Sequence, residues 1–387
     1  MEIPSLVLAG SSFLVLAGAF AWLAAHRGRV PLLADVPLAR DRDPHARRPR
    51  VTLVAPALNE ERNLEAAVRS WFRQDWPDLE IVVVDDRSTD ATPAILARLA
   101  REFPELRVVT IRELPPGWLG KNHALHVGAA NASGEYLLFT DADVWLAPDA
   151  IARGVAHLER HGWDHLAVAP ETTMPGLVNQ FTLYFGLLFT LYRRPWAARD
   201  PRSAAHVGIG AYNLVRASAY RRAGGHAPIR LRPDDDLKLG KILKRSGARQ
   251  DFAGGRGLVR VEWYSSWRGI RDGLMKNLYA GAEYRTWLVA LGVAAHVFGL
   301  AWPAFAWAWT DGPAFWLNLG CLALYAGLGA VSARQFGTAP WAGLLLPGLA
   351  LFGAYLMVRA TWLTLANDGI VWRGTHYPLA ALRGNVV

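Results

Sequence analysis

The sequence predicts an α/β protein with a Rossmann-like, mainly parallel sheet, flanked by transmembrane helices, on three observations. Short apolar runs alternate with helical patterns from residue 51 to residue 140, the spacing of βαβ units. Two of those runs end on paired carboxylates, Asp85-Asp86 and Asp141-Ala142-Asp143, at the strand ends where open parallel sheets bind ligands. Long uncharged segments lie before and after this region.

The first of these, residues 5–25, carries no charge and matches the ~20 residues a helix needs to span a bilayer. No Lys or Arg precedes it, whereas His26, Arg27 and Arg29 follow at once. That is the reverse of a cleavable signal peptide, and it favours an anchor with its N-terminus outside and the next domain in the cytosol. Three more apolar runs, 287–310, 313–333 and 341–365, have Trp287, Trp309, Trp316, Trp341 and Trp362 at or near their ends, as interfacial belts do. The expected division is a 1–27 anchor, a basic 28–49 linker, a 50–285 cytosolic domain, about three helices in 286–366 and a 367–387 tail. One span before and three after put the tail outside. The basic tail, with Arg373 and Arg383, against a weakly basic loop at Arg334 leaves a re-entrant or interfacial run as the alternative.

The chain has 387 residues, 52% of them hydrophobic, with a formal charge of +9. Much of that charge follows the first span, at Arg40, Arg42, Arg47, Arg48 and Arg50. Arg beside an anionic cytoplasmic leaflet accounts for it, and no nucleic-acid module is present, so nucleic acid is not an expected partner. The only cysteine, Cys321, lies in an apolar run, which excludes an intrachain disulfide.

Taken in order, residues 51–56 (VTLVAP) read as a buried strand, and Leu64, Ala67, Val68, Trp71 and Phe72 mark the helix after it. Residues 81–84 form a second strand ending on Asp85-Asp86, with a helix from about 92 to 101 behind it; 106–111 form a third. A helix near 122–131 leads to the strand that ends before Asp141. Residues 117–122 (GWLGKN) lack the first glycine and final Ser or Thr of a phosphate loop, and Gly208 and Gly210 lack a third glycine at the dinucleotide spacing, so ATPase and nicotinamide chemistry are not supported.

Asp85, Asp86, Asp141 and Asp143 all follow strands of one predicted sheet and can face one crevice. Two carboxylates one residue apart can share a hard divalent cation, and such a cation can hold a diphosphate. A third acidic cluster, Asp234-Asp235-Asp236, opens a predicted helix, where the dipole favours it; a carboxylate there could also serve as general base. Residues 177–192 (LVNQFTLYFGLLFTLY) read either as an interfacial helix delivering a lipid or as a core helix. His123, His206 and His226 read as structural.

Four ordered motifs, VTLVAPALNEE at 51–61, DDRSTD at 85–90, FTDAD at 139–143 and DDLKLG at 235–240, resemble inverting family 2 glycosyltransferases of the GT-A fold. Segments PGWLGKN, GGH at 224–226 and GLMKNLYAG at 273–281 are similar to carotenoid (chlorobactene and diaponeurosporenoate) glycosyltransferases, and the layout is shared by hopanoid-associated and ceramide enzymes. The resemblance implies a hexosyltransferase in the inner (plasma) membrane, multi-pass, taking a nucleotide-sugar donor such as a UDP-hexose, with Mg2+ or Mn2+, and a lipid acceptor. It implies Pro56, Ala57, Glu60, Asp85 and Asp86 at the nucleotide, Lys121 at the base or diphosphate, Asp141 and Asp143 at ribose and metal, and Asp236, paired with Asp235, as the base. The Gln-x-x-Arg-Trp motif of processive synthases is absent, the nearest feature being WYSSWR at 263–268, so a single transfer is expected over polymer synthesis. A processive polysaccharide synthase, or a non-catalytic membrane scaffold, is the competing reading.

Overall fold

The computed structural model describes residues 2–26, 28–38 and 47–387; the basic positions Arg27, Arg40 and Arg42 lie outside them. The described chain divides into two compact units. One comprises residues up to 29, Thr172–Tyr192 and Trp263–Arg383; the other comprises Val30–Glu171, Arg193–Glu262 and Gly384–Val387.

The second unit holds a seven-stranded sheet. Its strands in chain order are β1 (Val51–Ala57), β2 (Leu79–Asp86), β3 (Leu106–Ile111), β4 (Tyr136–Phe139), β5 (His165–Ala169), β6 (Asn213–Arg216) and β7 (Gln250–Gly254). They lie in the spatial order β3-β2-β1-β4-β6-β5-β7. β1 pairs in parallel with β2 and β4, and β2 with β3, giving the expected half-sheet. β6 runs antiparallel between β4 and β5, and β5 pairs in parallel with β7.

β1 and β4 are buried along almost their whole length because helices cover both faces, which is why they read as continuous apolar runs rather than alternating ones. The helix Gly120–Ala130 approaches so closely that a Cβ on Gly128 would lie 2.4 Å from Val54 Cγ1. The helices Leu64–Trp71 and Thr92–Glu102 complete the first two crossovers. Trp71, fully buried, donates from Nε1 to Val144 O at 2.9 Å and so ties its helix to the chain just after β4.

The first unit is built from apolar helices. Among the described residues, four are long and apolar enough to cross a membrane: Ile3–Ala25, Thr286–Ala306, Gly312–Phe336 and Pro340–Ala366. Their core includes Leu16, Cys321, Tyr325, Leu349 and Leu356. The segment expected to be either interfacial or core is a short 3-10 turn, Gly176–Gln180, leading into the helix Phe181–Arg193. Phe181, Leu183 and Leu187 enter that core, while Leu177, Phe185 and Tyr192 stay exposed. After the last long helix comes a hairpin, Gly369–Trp372 with Thr375–Pro378.

Candidate active site

The site begins where β1 and β2 end side by side, Ala57 in register with Asp85. Asp85 Oδ1 accepts from Ser88 N at 3.2 Å, which closes the turn out of β2. Asp86, buried, accepts from Arg87 Nε at 2.8 Å and Nη2 at 3.0 Å, a bidentate pair. A Cβ on Gly120 would sit 2.5 Å from Asp86 Oδ2, so glycine is what lets the next helix start beside this pair.

The loops after β1 and β2 interlock. Asn59 N donates to Ser88 Oγ at 3.1 Å, and Thr89 N donates to Asn59 Oδ1 at 2.8 Å. Glu61 N donates to Asp90 Oδ2 at 3.2 Å, and Ala91 N donates back to Glu61 Oε2 at 2.9 Å. Glu60 N donates to Thr92 Oγ1 at 2.8 Å. Asn59 holds a left-handed φ of 57°, which Asn tolerates better than most residues. Pro56, Ala57 and Glu60 lie on this edge, Ala57 buried and the other two partly exposed.

The loop after β4 is held from both sides. Thr140 N donates to Val54 O at 3.1 Å, Thr140 Oγ1 to Ala211 O at 2.7 Å, and Val144 N to Asp141 O at 3.3 Å. Asp141 and Asp143 project from this turn. Lys121, at the start of the Gly120–Ala130 helix, places Nζ 2.7 Å from Asp141 Oδ1 and 3.5 Å from Asp235 Oδ2. Asn122 donates to Ile229 O at 2.7 Å and Arg232 O at 3.0 Å, fixing the loop that enters the helix Asp235–Arg245. Asp236 accepts from Gly210 N at 2.8 Å through Oδ2 and from Leu237 N at 2.7 Å through Oδ1.

A pocket is lined by Lys121, Asp141, Asp235, Asp236, Asn213 and His226, among others. Negative charge dominates it, and that shifts its protonation. Burial would lower the Lys121 ammonium, but Asp141, Asp235 and Asp236 outweigh it and hold Lys121 well above its ordinary value. Burial, then the charges of Asp141 and Glu60, push Asp143 up to about 7. Burial, then Asp235, push Asp236 up to about 7 against the pull of Lys121. His226 goes the other way, down to about 3, through burial and the nearby His126 and Lys121. It is a neutral imidazole whose Nδ1 lies 2.7 Å from the Tyr220 hydroxyl.

The structure therefore brings Lys121, Asp141, Asp235 and Asp236 into one cluster, with Asp143 and Glu60 coupled to it by charge. Pro56, Ala57, Asp85 and Asp86 stand at the neighbouring strand ends. Lys121, expected at a base or diphosphate, has its ammonium between two of the acids. Sequence reasoning missed Arg87, Asn122, Thr140 and Gly210. The signal for Gly210 was in hand as the Gly208 and Gly210 pair, weighed only against a dinucleotide fingerprint. The role of that stretch is close approach: a Cβ on Gly208 would lie 1.8 Å from Asp236 O, and one on Gly240 1.6 Å from Val207 O. Gly240→Ala is expected to cost about 1–3 kcal/mol of stability as an overpacked contact between backbones, read as a lowered thermal midpoint of the purified protein.

The family model Glycosyl transferase family 2 matches residues 52–222. The chain is 24% identical over 252 residues to a 4,4'-diaponeurosporenoate glycosyltransferase of Staphylococcus aureus (strain USA300), covering 64% of this chain and 66% of that one, just under two thirds of the relative's length. The protein of that name from strain bovine RF122 / ET3-1 matches at the same identity and coverage. Among solved structures, the mannosyltransferase PcManGT from Pyrobaculum calidifontis, in complex with GDP-Man and Mn2+, aligns with a TM-score of 0.54 at 21% identity, over 94% of this chain and 98% of that one. Residues 52–222, a little under half of the chain, are thus similar to the family 2 glycosyltransferases, and the mainly parallel sheet that carries the acidic cluster has the GT-A fold.

Proposed function

We propose that the protein transfers one hexose from a nucleotide-sugar donor, a UDP-hexose, to the hydroxyl or carboxyl of a membrane lipid, with inversion and without processivity. The observation that carries this is the gathering of Lys121, Asp141, Asp235 and Asp236 at the carboxyl edge of a GT-A sheet, in a chain with four helices apolar enough to cross a membrane. The curated relative's name, a carotenoid glycosyltransferase, favours a lipid acceptor of carotenoid type over a hopanoid or sphingolipid.

In this reading the nucleotide lies along the interlocked loops after β1 and β2, against Pro56, Ala57, Glu60, Asp85 and Asp86. Asp236 takes the proton of the acceptor as its oxygen attacks the anomeric carbon, and the nucleoside diphosphate leaves from the opposite face, which inverts the configuration. Asp235 and Lys121 hold Asp236 in its charged surroundings and set its basicity. The two backbone N–H groups on its carboxylate fix its direction.

A divalent cation, Mg2+ or Mn2+, fits this donor set: Asp141 and Asp143 offer only hard oxygens, and the raised Asp143 marks a place with negative charge in excess. Among the described residues no three such side chains gather into a complete cation site, so donor phosphate oxygens and water would complete the coordination. When bound, the ion supplies Lewis-acid stabilisation of the departing diphosphate. In this reading the chain sits in the inner (plasma) membrane with its catalytic unit cytosolic. Membranes carrying the protein, given labelled nucleotide sugars and total lipid from the source cell, are expected to yield one labelled lipid bearing a single sugar. A ladder of longer products would favour the processive reading, and no transfer from any donor would favour the scaffold.

A further inference from the structure

Residues 384–387 rejoin the catalytic unit. Asn385 donates from Nδ2 to Pro228 O at 2.9 Å and accepts from Leu231 N at 3.0 Å, and Lys241 Nζ donates to Val387 O at 2.5 Å. A polar folded unit lies in water on one side of a bilayer, so a chain that leaves it after residue 262 and rejoins it at 384 makes an even number of full crossings between the two. Three segments in that interval are long and apolar enough to cross: Thr286–Ala306, Gly312–Phe336 and Pro340–Ala366. One of them does not.

Contacts inside the helical unit identify it. The N-terminal helix and Gly312–Phe336 run side by side in the same direction, Phe13 against Gly320 and Phe20 against Gly327. Thr286–Ala306 passes both at mid-depth, with Ser12 Oγ donating to Phe298 O at 3.0 Å and the Tyr325 hydroxyl donating to Leu300 O. Asn318 Nδ2 meets Thr310 Oγ1 at 3.2 Å near the far turn. These three helices therefore traverse together, and residue 336 returns to the side from which residue 286 set out.

The last segment starts on that side and turns back. Its entry, residues 337–339, is held by Asn179 Nδ2 donating to Gly337 O and Ala339 N donating to Gln180 Oε1, both at 3.1 Å. The stretch Pro340–Leu345 then reaches only the middle of Gly312–Phe336, where a Cβ on Gly343 would lie 1.9 Å from Tyr325 O. Residues 325–329 stand roughly 10–16 Å in from residue 336 at about 1.5 Å per residue, half of a hydrocarbon core about 30 Å thick. From there the helix Leu346–Ala366 runs antiparallel to Thr286–Ala306: Met357 packs on Gly292, and Arg359 Nη2 lies 3.6 Å from Asp272 Oδ1. Asp272 is half exposed, so this ion pair marks the water interface, where an Arg within an apolar run is tolerated. Beyond it, Lys276 Nζ stands 3.9 Å over the Trp372 ring, and Arg383 Nη2 donates to the Tyr279 hydroxyl and to Tyr284 O at 3.4 Å. The residues just before the first of the three segments thus touch the residues just after the last.

We infer that residues 337–366 form a re-entrant hairpin, inserted into a single leaflet with its apex at 345–347, so that the chain crosses the membrane three times and its tail shares the side of the catalytic unit. Counting apolar runs puts the tail outside; the packing puts it inside. The inference rests on the membrane reading of these helices and not on sugar transfer.

Single cysteines in a Cys321→Ala background test it, labelled with a bilayer-impermeant maleimide in sealed vesicles of both orientations. Ala381→Cys in the tail is expected to label in the same orientation as Arg202→Cys in the catalytic unit, and Asp311→Cys in the far turn in the opposite one. Leu344→Cys, near the apex, is expected to label from neither side until detergent is added. Labelling of Ala381→Cys together with Asp311→Cys would overturn the hairpin, as would labelling of Leu344→Cys from the Asp311 side. Should Ala381→Cys fail to accumulate, His376→Cys on the exposed hairpin strand asks the same question.

Discussion

Asp236→Asn is expected to lower sugar transfer by about 10²–10⁴-fold while leaving donor binding nearly unchanged, because the amide keeps the shape of the carboxylate and loses only its basicity. Initial rates against donor and acceptor, with donor affinity measured separately by calorimetry, check both halves. Retained turnover would remove Asp236 as the base, and Asp235→Asn would then be the variant to test. The same residue sets a pH dependence whose sign can be worked out. Its carboxyl is pushed up to about 7, and the base works only when deprotonated, so kcat/KM should be full above that value and fall as the pH drops through it. Asp143 is pushed to the same range, so the two limbs overlap at low metal. Saturating divalent cation pulls Asp143 down and leaves the limb of Asp236, which is the one Asp236→Asn should abolish.

The second large effect is expected at the proposed cation site. Asp143→Ala, or chelation of the wild-type protein, should weaken donor binding and depress transfer by at least 10²-fold, the scale of losing a metal that stabilises developing charge on a leaving diphosphate. Excess Mn2+ or Mg2+ should restore the chelated enzyme fully and the variant little. Binding of the bare nucleoside, which carries no diphosphate, should be insensitive to both treatments. Full activity of Asp143→Ala in a chelator would exclude a metal at this position.

How much of this could be read from the chain depends on what local pattern encodes. β1 to β4 were legible because each is a short apolar run, β1, β2 and β4 buried along most of their length and the edge strand β3 only in part, with a helix-length interval before the next. The strand at 106–111 has the expected bounds, and the cluster of Lys121, Asp141, Asp235 and Asp236 was foreseeable from strand ends and motif order. The antiparallel insertion of β6 between β4 and β5 was not, since its partners are far away in sequence and nothing in NLVR itself states a direction. The work of Gly208, Gly210 and Gly240 was hidden for a similar reason: the need for a missing side chain lies in the backbone that approaches it. Depth in a membrane is equally invisible to hydropathy. Pro340–Ala366 is as apolar as a spanning helix, and what tells it apart is that Gly343 meets the middle of its neighbour while Arg359 meets Asp272.

The interlocked loops after β1 and β2 carry a thermodynamic consequence. Asn59, Glu61, Ser88 and Asp90 already hold one another through reciprocal hydrogen bonds. If the nucleotide is held where we propose, it meets a surface whose conformational freedom was surrendered during folding, so little of its binding energy goes into ordering protein. Recognition of the nucleotide is then largely pre-organised, and a substitution that loosens these loops would cost affinity without removing a contact to the ligand.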